Sequence, residues 1–186
     1  MNNKFREIFL ISGAVLVTII FIIVLLLNTN MKTNQIVKDY NSLREDTIIR
    51  YTTADEVLSL MENEYSGIIV YGFKECPWCQ AVIGYVDEIA KEKGYKEVLY
   101  LDIREMRDLE ESEDHQKYLQ IFEKIKDKID NPLKIFAPTT TVMSKGEVVS
   151  YSIGTVDSHQ KNDLNILPPM TDSQIEELKE LFREMF

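Results

Sequence analysis

A chain of 186 residues with 31 acidic and 21 basic side chains carries a formal net charge of −10. That length holds one ordinary domain plus an attachment, and the acidic excess disfavours binding of nucleic acid or anionic lipid heads through the domain surface. Lys4, Arg6 and Glu7 are the only charges in residues 1–30, so the acid lies downstream.

After a short tail (residues 1–7), Ile8 to Leu27 form an uncharged run of twenty residues, softened only by Ser12, Gly13 and Thr18. As a helix at about 1.5 Å per residue the run spans about 30 Å, the hydrocarbon thickness of a bilayer. A cleaved signal peptide has a shorter apolar region, about 7–15 residues, followed by small residues at a cleavage site. Asn28-Thr29-Asn30-Met31 offers no such pattern. The sequence therefore predicts a single-pass signal anchor contacting the lipid bilayer through residues 8–27. With so short a segment ahead of it, the amino terminus is expected inside and the main domain outside the cytoplasm. Residues 28–46 are polar with few large apolar side chains and read as a stalk, in part helical, leaving 47–186 as the domain.

Thr47 to Thr52 is a short β-branched run and reads as a strand. Thr53 followed by Glu56 starts a helix to about Glu64 with a capping box. Ser66 to Phe73 is a buried strand, and Cys76-Pro77-Trp78-Cys79 follows it directly. A helix then runs to about Lys93, with Ala81, Val82, Tyr85, Val86, Ile89 and Ala90 at helical spacing and Gly94 as its stop. Lys96 to Ile103 is a third strand. Glu105 to Asp130 is highly charged but places Met106, Leu109, Tyr118, Phe122, Ile125 and Ile129 at three- and four-residue intervals. It predicts one or two amphipathic helices, either a cover on the sheet or a substrate-selecting lid. Thr139 to Ser144 and Glu147 to Ile153, joined by Lys145-Gly146, predict a β-hairpin. Gly154 to Pro169 is irregular. Thr171 and Gln174 open a last helix with Ile175, Leu178, Leu181, Phe182 and Met185 on its apolar face.

Cys76 and Cys79 are the chain's only cysteines. A thiolate is the species that attacks sulfur, and a helix amino terminus can pull a cysteine pKa from about 8.5 into the range of roughly 3.5–7.5. Cys76, at the helix start, is the expected nucleophile. Cys79, one turn on, is the expected resolving thiol. Pro77 suits the first helical turn, where its missing N–H would find no partner. Trp78 offers a flat apolar surface for a substrate or, equally, packs on the domain. A purely structural disulfide between residues three apart would close a tiny loop and stabilise little. A zinc site would need Cys76, Cys79, His115 and His159, but the histidines follow at wide, unpatterned intervals and read as solvated surface residues. No Gly-rich phosphate loop and no serine-centred triad signature is present. No metal or cofactor is expected beyond the redox-active cysteine pair.

The order strand, helix, strand, Cys-x-x-Cys, helix, strand, helix, proline, hairpin, helix resembles the thioredoxin superfamily over Thr47 to Phe186. The resemblance implies an α/β thioredoxin-like fold, a central mixed sheet flanked by helices, with a helical insertion at about 105–130. It also implies that Pro138, in Phe136-Ala137-Pro138-Thr139, forms a cis peptide bond facing the dithiol, so that Ala137 and Pro138 line a substrate groove; an ordinary trans edge proline is the alternative. Thioredoxin itself has a buried aspartate six residues before the first cysteine, where this chain has Val70. Deprotonation of Cys79 must then use water or another carboxylate, Glu75 being the nearest in sequence. The Pro-Trp pair between the cysteines also differs from thioredoxin's Gly-Pro. With the anchor and the insertion, the chain is similar to the thioredoxin-like accessory proteins of bacteriocin export. That implies disulfide exchange with cysteine-containing exported polypeptides and an electron partner bearing its own thiol–disulfide pair. From a different class, a tethered non-catalytic client-binding module is the alternative.

Overall fold

The computed structural model describes residues 15–24, 35–131 and 133–186. Of the expected anchor, the ten described residues are helical and exposed; the remainder of 8–27, the tail 1–7 and residues 28–34 lie outside the described residues. Among the described residues no helix is long and apolar enough to cross a membrane.

The domain is α/β. Its mixed sheet holds β1 (Ile49–Tyr51), β2 (Gly67–Gly72), β3 (Val98–Asp102), β4 (Thr139–Ser144) and β5 (Glu147–Ile153), in the order β1-β3-β2-β4-β5. β3 runs parallel to both β1 and β2, β4 is antiparallel to β2, and the β4–β5 hairpin completes the sheet. Every residue of β2 is buried, as a continuous apolar strand covered on both faces requires.

Alternation along the central strands sends side chains to two separate cores. Ile68 and Val70 of β2 join Val98 and Tyr100 of β3 on one face, under α2 (Pro77–Glu92) and α5 (Asp172–Met185). Ile69, Tyr71, Leu99 and Leu101 face the other way, against α1 (Ala54–Glu62), α3 (Arg104–Asp108) and α4 (His115–Ile125). The charged stretch 105–130 is thus a cover: Met106, Tyr118, Ile121, Phe122 and Ile125 are buried in the second core, and Lys117 pairs with Asp55 of α1 at 2.7 Å.

The caps follow the sequence closely. Thr171 and Gln174 form the full reciprocal box at α5. At α1 Thr53 accepts the Glu56 N–H, but the Glu56 carboxylate turns to Arg50 (2.6 Å) and Thr52 (2.8 Å), so only half of that box forms. Gly94 ends α2 at φ +85°, a conformation that glycine adopts without steric cost.

Two expectations need correction. The stretch read as a stalk does not stand clear of the domain in its described part: residues 35–39 are helical, and Ile36, Tyr40 and Leu43 are buried in the α2 core. His159 is likewise no solvated surface residue. It is 2% exposed, with Nδ1 2.9 Å from Thr155 Oγ1 and Nε2 2.8 Å from the Pro168 carbonyl, which pins the irregular 154–169 loop.

Candidate active site

β2 ends at Gly72, and the chain turns through Phe73-Lys74-Glu75 to deliver Cys76 as the N-cap of α2. The Cys76 amide donates to the Phe73 carbonyl at 3.1 Å, closing the turn. Pro77 takes the first helical position, exposed, where no backbone donor is needed. The amino-terminal N–H groups of a helix have no intrahelical partners, and here the Cys76 sulfur accepts the Cys79 N–H at 3.3 Å. As a thiol the same sulfur donates to the Ala137 carbonyl, also at 3.3 Å.

Those contacts set the charge of Cys76. A hydrogen bond from the Cys79 thiol lowers its pKa most; the backbone N–H groups of Cys79 and Trp78 and the Arg107 charge add to this. Against the opposing effect of burial, the result is about 7. Cys79 moves the other way. It is wholly buried, and burial, followed by its bond to and charge repulsion from Cys76, pushes its thiol far above the ordinary range. Through neutral pH the reduced pair therefore ionises at Cys76, the sulfur at the helix end, and not at Cys79.

The loop bearing Ala137 and Pro138 crosses the top of this turn, and the Ala137–Pro138 peptide bond is cis. Pro138 is buried and Ala137 half-buried, with Phe136 at the rim 43% exposed. Trp78 packs partly onto the α2 core and receives Lys161 over its ring at 5.0 Å. Five of the six expected site residues thus converge with Pro77 on one turn and one loop.

Arg107 ties that loop to the dithiol. From α3 its guanidinium donates to the Ile135 carbonyl (3.3 Å), forms a two-pronged pair with Asp108 (2.7 and 2.9 Å) and lies 5.4 Å from the centre of the Phe73 ring. Arg104 approaches the same ring at 5.0 Å and pairs with Glu75 at 3.3 Å. Glu75 is therefore engaged at the exposed surface and is not the group that serves Cys79.

Tyr100 reaches the floor of the site instead. In the parallel register Val70 of β2 lies beside Tyr100 of β3, and both side chains point toward α2. The Tyr100 hydroxyl bonds the Tyr40 hydroxyl and, together with the Cys79 sulfur, closes on Gly72. Gly72 makes the meeting possible. A Cβ there would come within 2.3 Å of the Tyr100 hydroxyl and 2.9 Å of the Cys79 sulfur. Sequence reasoning found Val70 but not its neighbour, because pairing across a parallel sheet joins residues far apart in the chain.

His115 Nδ1 sits 2.8 Å from the Met106 carbonyl, and His159 lies in its own loop, so neither joins the cysteines. Among the described residues no three histidine, cysteine, aspartate or glutamate side chains are grouped to hold a metal ion. No family model matches the chain, and no curated protein matches it.

Proposed function

We propose that this chain is a membrane-anchored thiol–disulfide oxidoreductase of thioredoxin-like fold, exchanging disulfides with cysteine-containing exported polypeptides, in the manner of the accessory proteins of bacteriocin export. The observation that carries the reading is the Cys76 sulfur: it caps a helix, accepts the Cys79 N–H at 3.3 Å and lies 3.3 Å from the carbonyl that precedes a cis proline. A depressed thiolate beside a second, protonated thiol is what exchange chemistry needs. The anchor rests on the twenty uncharged residues 8–27.

The steps balance as follows. The Cys76 thiolate attacks one sulfur of a client disulfide; the client S–S bond breaks and its other sulfur leaves as thiolate. Cys79 then loses its proton, to that thiolate or to solvent, and attacks the Cys76 sulfur. The Cys76–Cys79 bond forms as the Cys76–client bond breaks. The client ends with two thiols and the protein with a disulfide, and run backward the same steps oxidise a client.

The full-length protein in detergent, held in a glutathione redox buffer with a disulfide-bonded model polypeptide, tests this. Exchange is expected well above the uncatalysed rate, and Cys76→Ala is expected to return it to background. A C76A variant as fast as the unaltered protein would overturn the reading.

A further inference from the structure

Behind Cys79 lies a polar cluster that the exchange scheme above leaves unused. Tyr100 and Tyr40 are both fully buried, their hydroxyls hydrogen-bonded to each other, with ring centres 5.3 Å apart. Most buried hydroxyls find a hydrogen-bond partner, and here two phenols supply one another beside a buried sulfur. The glycine at 72 removes the side chain that would otherwise separate them. Tyr40 comes from the segment ahead of the sheet, held by Gln80 Nε2 donating to the Asp39 carbonyl at 3.0 Å and by Tyr51 donating to the Asp39 carboxylate at 2.9 Å.

We propose that Tyr100, positioned by Tyr40, donates a hydrogen bond to the Cys79 thiolate as it forms, and so drives the resolving step without a buried carboxylate. The proposal rests on the exchange function above. Either hydroxyl of the pair can donate; in the proposed arrangement Tyr40 donates to the Tyr100 oxygen, which leaves the Tyr100 proton for the sulfur. The carboxylates around it already have partners. Asp102 accepts the Arg104 N–H at 3.0 Å, Asp39 accepts Tyr51, and Glu75 faces Arg104.

Burial holds the protons of both phenols far beyond neutral pH, so Tyr100 acts as a donor and never as the base. The Cys79 proton leaves to the departing client thiolate or to buffer; what Tyr100 supplies is stabilisation of the anion left behind. In this scheme Tyr100 meets the Cys79 sulfur and is a catalytic residue. Tyr40 acts through it and is a positioning residue. A consequence is that the stretch read from sequence as a stalk belongs to the redox centre.

The test uses reduced full-length protein and an aromatic disulfide, 5,5′-dithiobis(2-nitrobenzoate), whose thiolate product is coloured. Cys76 attack releases the first equivalent and Cys79 resolution the second, so the two steps are read separately. Tyr100→Phe is expected to leave the first phase within about twofold and slow the second about tenfold, the effect of losing a hydrogen bond to a charged atom. Tyr40→Phe is expected to slow only the second phase, by about threefold. A folded Y100F whose second phase is unchanged, or whose two phases slow equally, overturns the proposal. Should Y100F fail to fold, Y40F decides by the same criterion. If the unaltered protein releases no second equivalent, the exchange reading itself fails, a result distinct from a normal second phase that ignores both tyrosines.

Discussion

Cys76 and Cys79 stand one helical turn apart, yet their surroundings drive them in opposite directions. Cys76 occupies the rim, where unpaired backbone N–H groups, the neighbouring thiol and Arg107 draw its pKa down to about 7 although the residue is only 3% exposed. Cys79 occupies the floor, where burial and the neighbouring sulfur hold its proton on. The contrast teaches that exposure alone does not decide thiol acidity here. At the rim several donors outweigh burial, whereas at the floor burial is the largest effect and the neighbouring sulfur adds to it. On the proposed exchange, one sulfur is thereby ready to attack while the other waits until a mixed disulfide removes the charge beside it.

The largest test of that division is to delete the floor. Cys79→Ser leaves the nucleophile but no resolving thiol, so the client should accumulate as a stable mixed disulfide on Cys76, visible on non-reducing gels and by mass. Free turnover by C79S would show that the two sulfurs do not work in sequence. A subtler blow is to crowd the floor. Gly72→Ala drives a methyl against the Tyr100 hydroxyl and the Cys79 sulfur, and overpacking of this kind costs about 1–3 kcal/mol. A lower thermal transition with a slowed resolving step is expected, and an unchanged melting curve would mean the close approach is relieved at no cost. The smallest effect should come from the rim. Arg107→Gln removes a positive charge that lowers the Cys76 pKa, which should therefore rise above about 7. Alkylation at pH 6.5 should then slow by about twofold, the scale of a partly screened charge.

Much of this was legible in the sequence, for identifiable reasons. The β4–β5 hairpin falls on the predicted residues because Lys145-Gly146 separates two alternating runs, with both turn residues at positive φ. The last helix begins at its capping box. The dithiol announced itself because helix start, proline and both cysteines are contiguous, and local signals suffice there. Tyr100 and Arg107 were hidden because they reach the site through sheet register and the packing of α3. The 35–46 segment was misread for another reason. Its apolar residues Ile36, Tyr40 and Leu43 follow an i, i+4, i+7 spacing, but they are diluted by charge, and only the core they enter reveals them. Thr53 and Glu56 carry the opposite lesson: the box residues are present, but Arg50 offers Glu56 a stronger partner.

The most direct measurement is the pH dependence of iodoacetamide labelling on the reduced full-length protein, with each cysteine quantified by mass. Because the Cys76 pKa is lowered, its labelling should already be half-maximal near pH 7 and fall as pH drops below that. Cys79, still protonated, should stay unlabelled across neutral pH. Labelling of Cys76 that rises only about pH 8.5, as for a free thiol, or of both cysteines in parallel, would contradict the opposed environments on which the proposed exchange depends.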